Sequence, residues 1–162
     1  MVARIGALTH RVTALLTRLE GLPILLARIV LGLGFAQTGY GKVFTNHGNV
    51  VQFFTTLGIP LPELNAWFVG GLEFFGGLLL IVGLCSRGVA FLLSCTMLVA
   101  TLTSTLPDLH KDGKGILDAL LTPEILAFVM LVWLVFSGPG PFSLDRLVAK
   151  KFAPTPPPKP GA

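Results

Sequence analysis

The chain's 162 residues are one ordinary domain's worth, but 52% are apolar and 12% charged, about half the charged share of a soluble domain. A mean hydropathy of +0.79 and several long apolar runs exclude a water-soluble monomer, and with it most soluble enzyme folds. The net charge of +4 comes from basic residues spread between apolar stretches, which argues for membrane topology and against a nucleic-acid partner.

In chain order, apolar segments at residues 22–44, 64–84, 88–106 and 122–137 predict four membrane helices. The expected fold is all-α: a polytopic transmembrane four-helix bundle with a short outer amphipathic helix. It divides into an amino-terminal segment (1–21), a membrane domain (22–147) and a basic, proline-rich tail (148–162). Arg4, Arg11 and Arg18 precede the first span as they would in a signal peptide. Its apolar stretch exceeds a signal's h-region, however, and no small-residue cleavage site ends it, so it reads as an uncleaved helix.

Short flanks fix the expected orientation, because Lys and Arg are retained on the cytoplasmic side. Arg4, Arg11, Arg18, Arg87, Arg146, Lys150, Lys151 and Lys159 fall on one side, and Lys42, Lys111 and Lys114 on the other. Both termini are therefore expected in the cytoplasm, with the chain integral to a bacterial-type cytoplasmic membrane.

Between the first two spans, Val50, Phe53, Phe54 and Leu57 recur at i, i+3, i+4 and i+7. They predict a short outer amphipathic helix, with Asn49 as N-cap and Gly58 just past its end. Such a helix either lies on the bundle or lids a ligand opening. Residues 107–115 read as a solvated loop before Thr122-Pro123-Glu124, which resembles a helix start with its acid near the positive dipole end. Pro154 to Pro160 predicts an extended tail.

Arg28 and Glu73 lie inside apolar spans, where ionisable side chains are costly and face the bundle interior. Arg28, Gly32, Phe35, Gly39 and Lys42 share one helical face within about 40°. Glu73 shares its face with Gly77, and Gly70 flanks it. Small residues let helices approach closely, so Gly32, Gly39, Gly70 and Gly77 predict packing of spans one and two with the charges between them. Side chains lean toward their own helix N-termini, which in antiparallel spans carries Arg28 and Glu73 apart. A direct pair therefore competes with a polar cluster involving Tyr40 or groups of the third span. Lys42 is placed at the outer interface and Glu73 near the membrane centre, so a ligand site is expected to use only part of this set. A buried pair that fixes helix register and a site with Glu73 as proton acceptor both remain open.

The other candidates are simpler. Thr96, Thr101, Thr103 and Ser104 suit hydrogen bonds back to helix carbonyls. His47 and His110 read as solvated loop residues, and the three histidines show no metal spacing. Cys85 and Cys95 are too far apart along one helix to bridge. Tyr40 and Trp67 suit an interfacial aromatic belt.

Four stretches together resemble the DoxX family of small four-helix membrane proteins. They are Arg28-Ile-Val-Leu-Gly32 with Gly39-Tyr-Gly-Lys42; Phe53 to Leu57 leading to Gly58-Ile-Pro60; Gly71-Leu-Glu73-Phe-Phe-Gly76-Gly77 running to Gly83-Leu-Cys-Ser-Arg87; and Gly138-Pro-Gly140-Pro-Phe-Ser143-Leu-Asp145. The resemblance implies a polar cluster of Arg28, Lys42, Glu73, Arg87 and Asp145. It also implies an association with oxidoreductases, since the family takes its name from a subunit linked to thiosulfate:quinone oxidoreduction. No intrinsic redox-cofactor motif is present, so electron transfer would need a membrane quinone or a partner carrying the cofactor.

Three functions follow as expectations. The chain is a quinone-linked oxidoreductase subunit, or a structural or assembly subunit docking other membrane subunits or itself, or a small-solute or lipid carrier. A ligand-sized apolar cavity beside Glu73 favours the first, and a solid core with extensive contacts to other chains favours the second. A polar path reaching both faces favours the third.

Overall fold

The computed structural model describes residue 19, residues 21–111, residue 113 and residues 115–152. The predicted amino-terminal segment and the Pro154 to Pro160 tail lie outside the described residues, apart from the start of the first span. All regular structure among the described residues is helical. The elements are α1 (Gly21–Tyr40) with a π turn (Gly41–Thr45), α2 (His47–Thr56), α3 (Pro62–Val82), and α4 (Ser86–Ala100) with a second π turn (Thr101–Thr105). They continue with α5 (Leu106–Lys111), α6 (Ile116–Leu120), α7 (Pro123–Ser137) and α8 (Leu144–Phe152).

Three continuous helical stretches, Gly21–Thr45, Pro62–Val82 and Ser86–Lys111, are long and apolar enough to cross a membrane. The fourth apolar helix, α7, has 15 residues. At 1.5 Å per residue it spans about 22 Å of the roughly 30 Å hydrocarbon layer. The bundle is built from two close pairs, α1 against α3 and α4 against α7, joined chiefly through α3 and α4. Phe35, Leu80, Leu93, Leu131 and Leu134 fill the shared core. Phe75, Phe91 and Phe136 are turned outward, as suits helices with lipid for solvent.

The α1–α3 contact depends on absent side chains. A Cβ on Gly39 would stand 2.7 Å from Gly70 O and from the Phe74 Cα, and one on Gly77 would stand 2.6 Å from Gly32 O. Gly32 meets the partner helix as closely, a Cβ there standing 2.7 Å from Gly77 O, and one on Gly70 would stand 2.9 Å from the Val43 side chain of the π turn, so all four glycines of the predicted stripe lie in this interface. Gly34, on the opposite face of α1, has open space around it. Gly39→Ala is expected to cost roughly 2–4 kcal/mol, because backbone must move to admit the methyl group. Gly34→Ala is expected to be neutral or stabilising by up to about 1 kcal/mol. Thermal unfolding of both variants in one mild detergent checks the contrast.

Two predicted elements differ from those observed. The loop expected at 107–115 is largely helix, because the third span runs on through Pro107 to Lys111. The π turn makes this tolerable: the Leu106 N–H reaches Thr101 O, five residues back, and the widened turn relieves the clash that proline makes with the preceding turn. The outer helix starts at His47, two residues before Asn49, with no side-chain cap. Gly58 takes the left-handed conformation (φ 70°) expected just past its end. The boundary expected between 147 and 148 falls inside α8.

Candidate functional site

The buried charges divide between the two ends of the bundle. Arg28 is 1% exposed, and its guanidinium serves as a cap. α3 ends at Gly83 (φ 79°), whose N–H returns to Leu79 O, as does that of Leu84. This leaves the Leu80 and Ile81 carbonyls without intrahelical donors. Arg28 supplies them, Nε to Leu80 O and Nη2 to Ile81 O, both at 2.9 Å. Its Nη1 donates to Pro139 O (2.6 Å) and Phe142 O (3.2 Å) in the turn after α7. A side chain on Gly83 would run into the guanidinium.

Asp145 closes the same end. Its carboxylate accepts from the Cys85 N–H (2.7 Å) and the Ser86 N–H (2.9 Å), capping α4, while its own N–H donates to Gly83 O (3.0 Å). These bonds hold Cys85 in a left-handed conformation (φ 50°) that side chains normally avoid. Arg87 is exposed, with its guanidinium lying against Gly138. Arg28, Asp145 and Arg87 thus gather where α3, α4 and the post-α7 turn meet.

Glu73 is paired with Lys42 at the opposite end. Lys42 Nζ lies 2.6 Å from Oε1 and 2.7 Å from Oε2, and the Thr38 hydroxyl lies 3.1 Å from Oε2. Glu73 is 1% exposed and Lys42 30%. The direct Arg28–Glu73 pair weighed from sequence does not form, and the separation expected between Lys42 and Glu73 is closed. The cause is the lean of helical side chains toward their N-termini. It carries Arg28 toward the C-terminal end of α3, but brings Lys42 and Glu73 toward each other from antiparallel helices.

A partly enclosed cavity of about 530 Å³ adjoins this pair, and Lys42 and Glu73 both line it. The apolar face of α2 (Val50, Phe53, Phe54 and Leu57) forms one wall, with Leu72 of α3 beside Glu73. Opposite are Leu92, Cys95, Thr96 and Val99 of α4, then Thr103 and Ser104 of the second π turn, then Glu124 of α7. Each π turn therefore contributes to the cavity, Lys42 from one and Thr103 to Thr105 from the other. Isolated π turns break the regular helix spacing and recur at functional sites.

The expected hydrogen bonds back to helix carbonyls form at three of the four positions: Thr96 donates to Leu93 O, Thr101 to Met97 O and Thr103 to Val99 O, each at 2.8 Å, while Ser104 lines the cavity. Their oxygens keep acceptor capacity. Thr122 has the extended backbone of an N-cap, but its hydroxyl turns back to Ala119 O (2.8 Å). His47, expected to be solvated, instead stacks on Trp67 at 4.2 Å between ring centroids, with Nδ1 3.3 Å from Lys42 O. It therefore ties the start of α2 to the turn that holds Lys42.

The arrangement offers a ligand a mostly apolar chamber with few convergent polar groups, in the size range of small-molecule pockets. Sequence reasoning singled out Lys42, Glu73 and the α2 stripe, but not Leu72, Cys95 or Glu124 as cavity neighbours, nor Thr38 as a partner of Glu73. The helical period of α2 was the one signal that pointed to a wall.

No solved structure matches the chain significantly. Residues 23–106 match the DoxX family model. The inner membrane protein YqjF of Escherichia coli is 30% identical over 137 residues, covering 83% of this chain and 98% of that protein. The Bacillus subtilis protein named "Putative oxidoreductase CatD" is 34% identical over 126 residues, covering 78% of this chain and 87% of its own. An uncharacterized membrane protein of Mycobacterium tuberculosis, Rv3486, is 30% identical over 140 residues, or 82% and 85% of the two chains. With the family match over more than half the chain, relatives aligned across nearly their whole length and apolar helices able to span a bilayer, this chain is an integral membrane protein of the DoxX family.

Proposed function

We propose that the chain is the membrane subunit of an oxidoreductase assembly, and that its cavity receives the head of a quinone. One observation carries this reading: a cavity of about 530 Å³, walled largely by apolar side chains, has a lysine–carboxylate pair at its edge. A quinone has matching chemistry, an apolar ring and tail with two carbonyl acceptors, and it reaches such a chamber from lipid. The name of the B. subtilis relative supports the same class of partner.

The chain's residues have separable tasks. Lys42 has three N–H donors, of which Glu73 engages two, so one remains for a ligand oxygen. Glu73 keeps that ammonium in place and is itself held by Thr38, so a positive charge already faces the oxygen on which negative charge develops during reduction. Glu73 also serves as the proton acceptor or donor at this position. A bound quinone supplies two-electron, two-proton chemistry, with the electrons drawn from a partner subunit carrying a redox cofactor. Phe53, Phe54 and Leu57 exclude water from the chamber, which makes α2 its lid. The rule that basic residues are retained on the cytoplasmic side supports an orientation with the Arg87 end of the bundle in the cytoplasm and the cavity toward the outer face.

Equilibrium dialysis of a short-chain ubiquinone analogue against the full chain in mild detergent tests the reading. Lys42→Gln and Glu73→Gln are each expected to weaken binding about tenfold, or ~1.4 kcal/mol. Phe136→Ala, on an exposed position outside the cavity, should bind as the parent does. Unchanged affinity in both charge variants, measured below their unfolding temperatures and with oligomer state retained, contradicts the proposed site.

A further inference from the structure

Beyond the fourth membrane helix, the chain forms a second amphipathic helix that has no part in the cavity. α8 (Leu144–Phe152) has nine residues, a length at which an isolated helix in water is marginal. Its start is fixed to the bundle. Ser143 Oγ accepts the Arg146 N–H at 3.3 Å, and the Asp145 bonds to Gly83, Cys85 and Ser86 clamp the first turn. Past that turn, α8 packs extensively against no other element among the described residues.

Leu144, Leu147 and Val148 are 39%, 61% and 48% exposed. At 100° per residue they fall within about 100° of arc, with Arg146 and Lys150 on the opposite side and Lys151, one turn beyond Leu147, ending the apolar stripe. Phe142, 57% exposed, adds apolar surface just before the helix. Only residues 138–143 separate α8 from the last turn of α7, so this face is held close to the end of a membrane helix.

We propose that α8 lies in the membrane interface, its Leu144, Leu147 and Val148 face in the acyl-chain boundary, Arg146 and Lys150 among anionic lipid headgroups, and the long Lys151 side chain reaching up to them from the end of the stripe. Three observations select lipid as the occupant. The anchor keeps the helix beside the bilayer, the exposed stripe has the width of an interfacial helix, and Arg146, Lys150 and Lys151 complement anionic phosphates. Burial of the stripe supplies the stabilisation that so short a helix lacks in water. Nothing in this surface depends on what fills the cavity.

Nitroxide labels at position 147 or 149, in the full chain carrying Cys85→Ser and Cys95→Ser, read the placement directly. The protein is reconstituted in vesicles of phosphatidylcholine with phosphatidylglycerol, or of phosphatidylcholine alone. In the anionic vesicles the label at 147 should be reached by oxygen and shielded from a water-soluble nickel chelate, and the label at 149 should show the reverse. Arg146→Gln/Lys150→Gln/Lys151→Gln, or high salt, should reduce the shielding at 147 several-fold, as should omission of phosphatidylglycerol. Equal chelate access at 147 and 149 overturns the interfacial placement. Spin–spin broadening that grows with protein density assigns the face to a second copy and also overturns it. Shielding that is indifferent to lipid charge, salt and the triple substitution overturns the role of anionic lipid.

Discussion

Arg28→Met is expected to be the most damaging substitution at the α3–α4 end of the bundle, lowering stability by roughly 3–5 kcal/mol, with each buried carbonyl left without a donor contributing about 1–3 kcal/mol before water enters. The magnitude follows from the donor count, since one guanidinium serves the carbonyls of Leu80, Ile81, Pro139 and Phe142. Arg28→Lys keeps the charge but not the planar fork, and should fall between Met and the parent. Arg87→Gln, at an exposed position, should stay within about 0.5 kcal/mol. Thermal unfolding in one detergent ranks the three variants. A parent-like Arg28→Met would mean that the α3 end is capped in some other way.

The Lys42–Glu73 pair should show an asymmetry that follows from burial. Lys42→Met leaves a carboxylate that is 1% exposed without its cation and should cost roughly 3–5 kcal/mol. Glu73→Gln leaves an ammonium that is 30% exposed and able to reach water, so its cost should be clearly smaller. The double variant Lys42→Met/Glu73→Met removes both charges and should recover most of the loss in Lys42→Met, because an apolar pair can replace a buried ion pair at little cost. All three variants are expected to lose quinone affinity. Stability that recovers in the double variant while binding does not would separate the ligand role of the pair from its packing role. Recovery of both would assign the pair to packing alone.

The residues that define both ends were legible in the sequence, because charge inside an apolar span has few explanations. The glycine faces of spans one and two were legible for a related reason: Gly39 and Gly77 recur on the charged faces, where close backbone approach is useful. Pairing was harder to read. Depth counted along straight helices sets Lys42 at an interface and Glu73 near the centre, but side-chain lean acts on Lys42 as well as on Arg28. Applied to both, the same rule separates Arg28 from Glu73 and joins Lys42 to it.

The capping role of Arg28 was hidden because it depends on where α3 stops, at Gly83, and on a turn more than a hundred residues further along the chain. The π turns have no sequence signature beyond Pro107, so the apolar pattern alone ends the third span too early. The α2 stripe gave the helix and its apolar face, but a cavity is a relation among three helices, and no single periodicity encodes the gap between them.

Photo-crosslinking with an azido-quinone tests the central claim most directly, followed by mapping of the labelled peptides in the full chain. The account predicts label within residues 50–73 and 92–105, centred on Phe53, Phe54, Leu72 and Thr96, reduced by an excess of unlabelled short-chain quinone and lost in Lys42→Met/Glu73→Met. Label confined to outward-facing positions such as Phe91 and Phe136, or label indifferent to competing quinone, would contradict it.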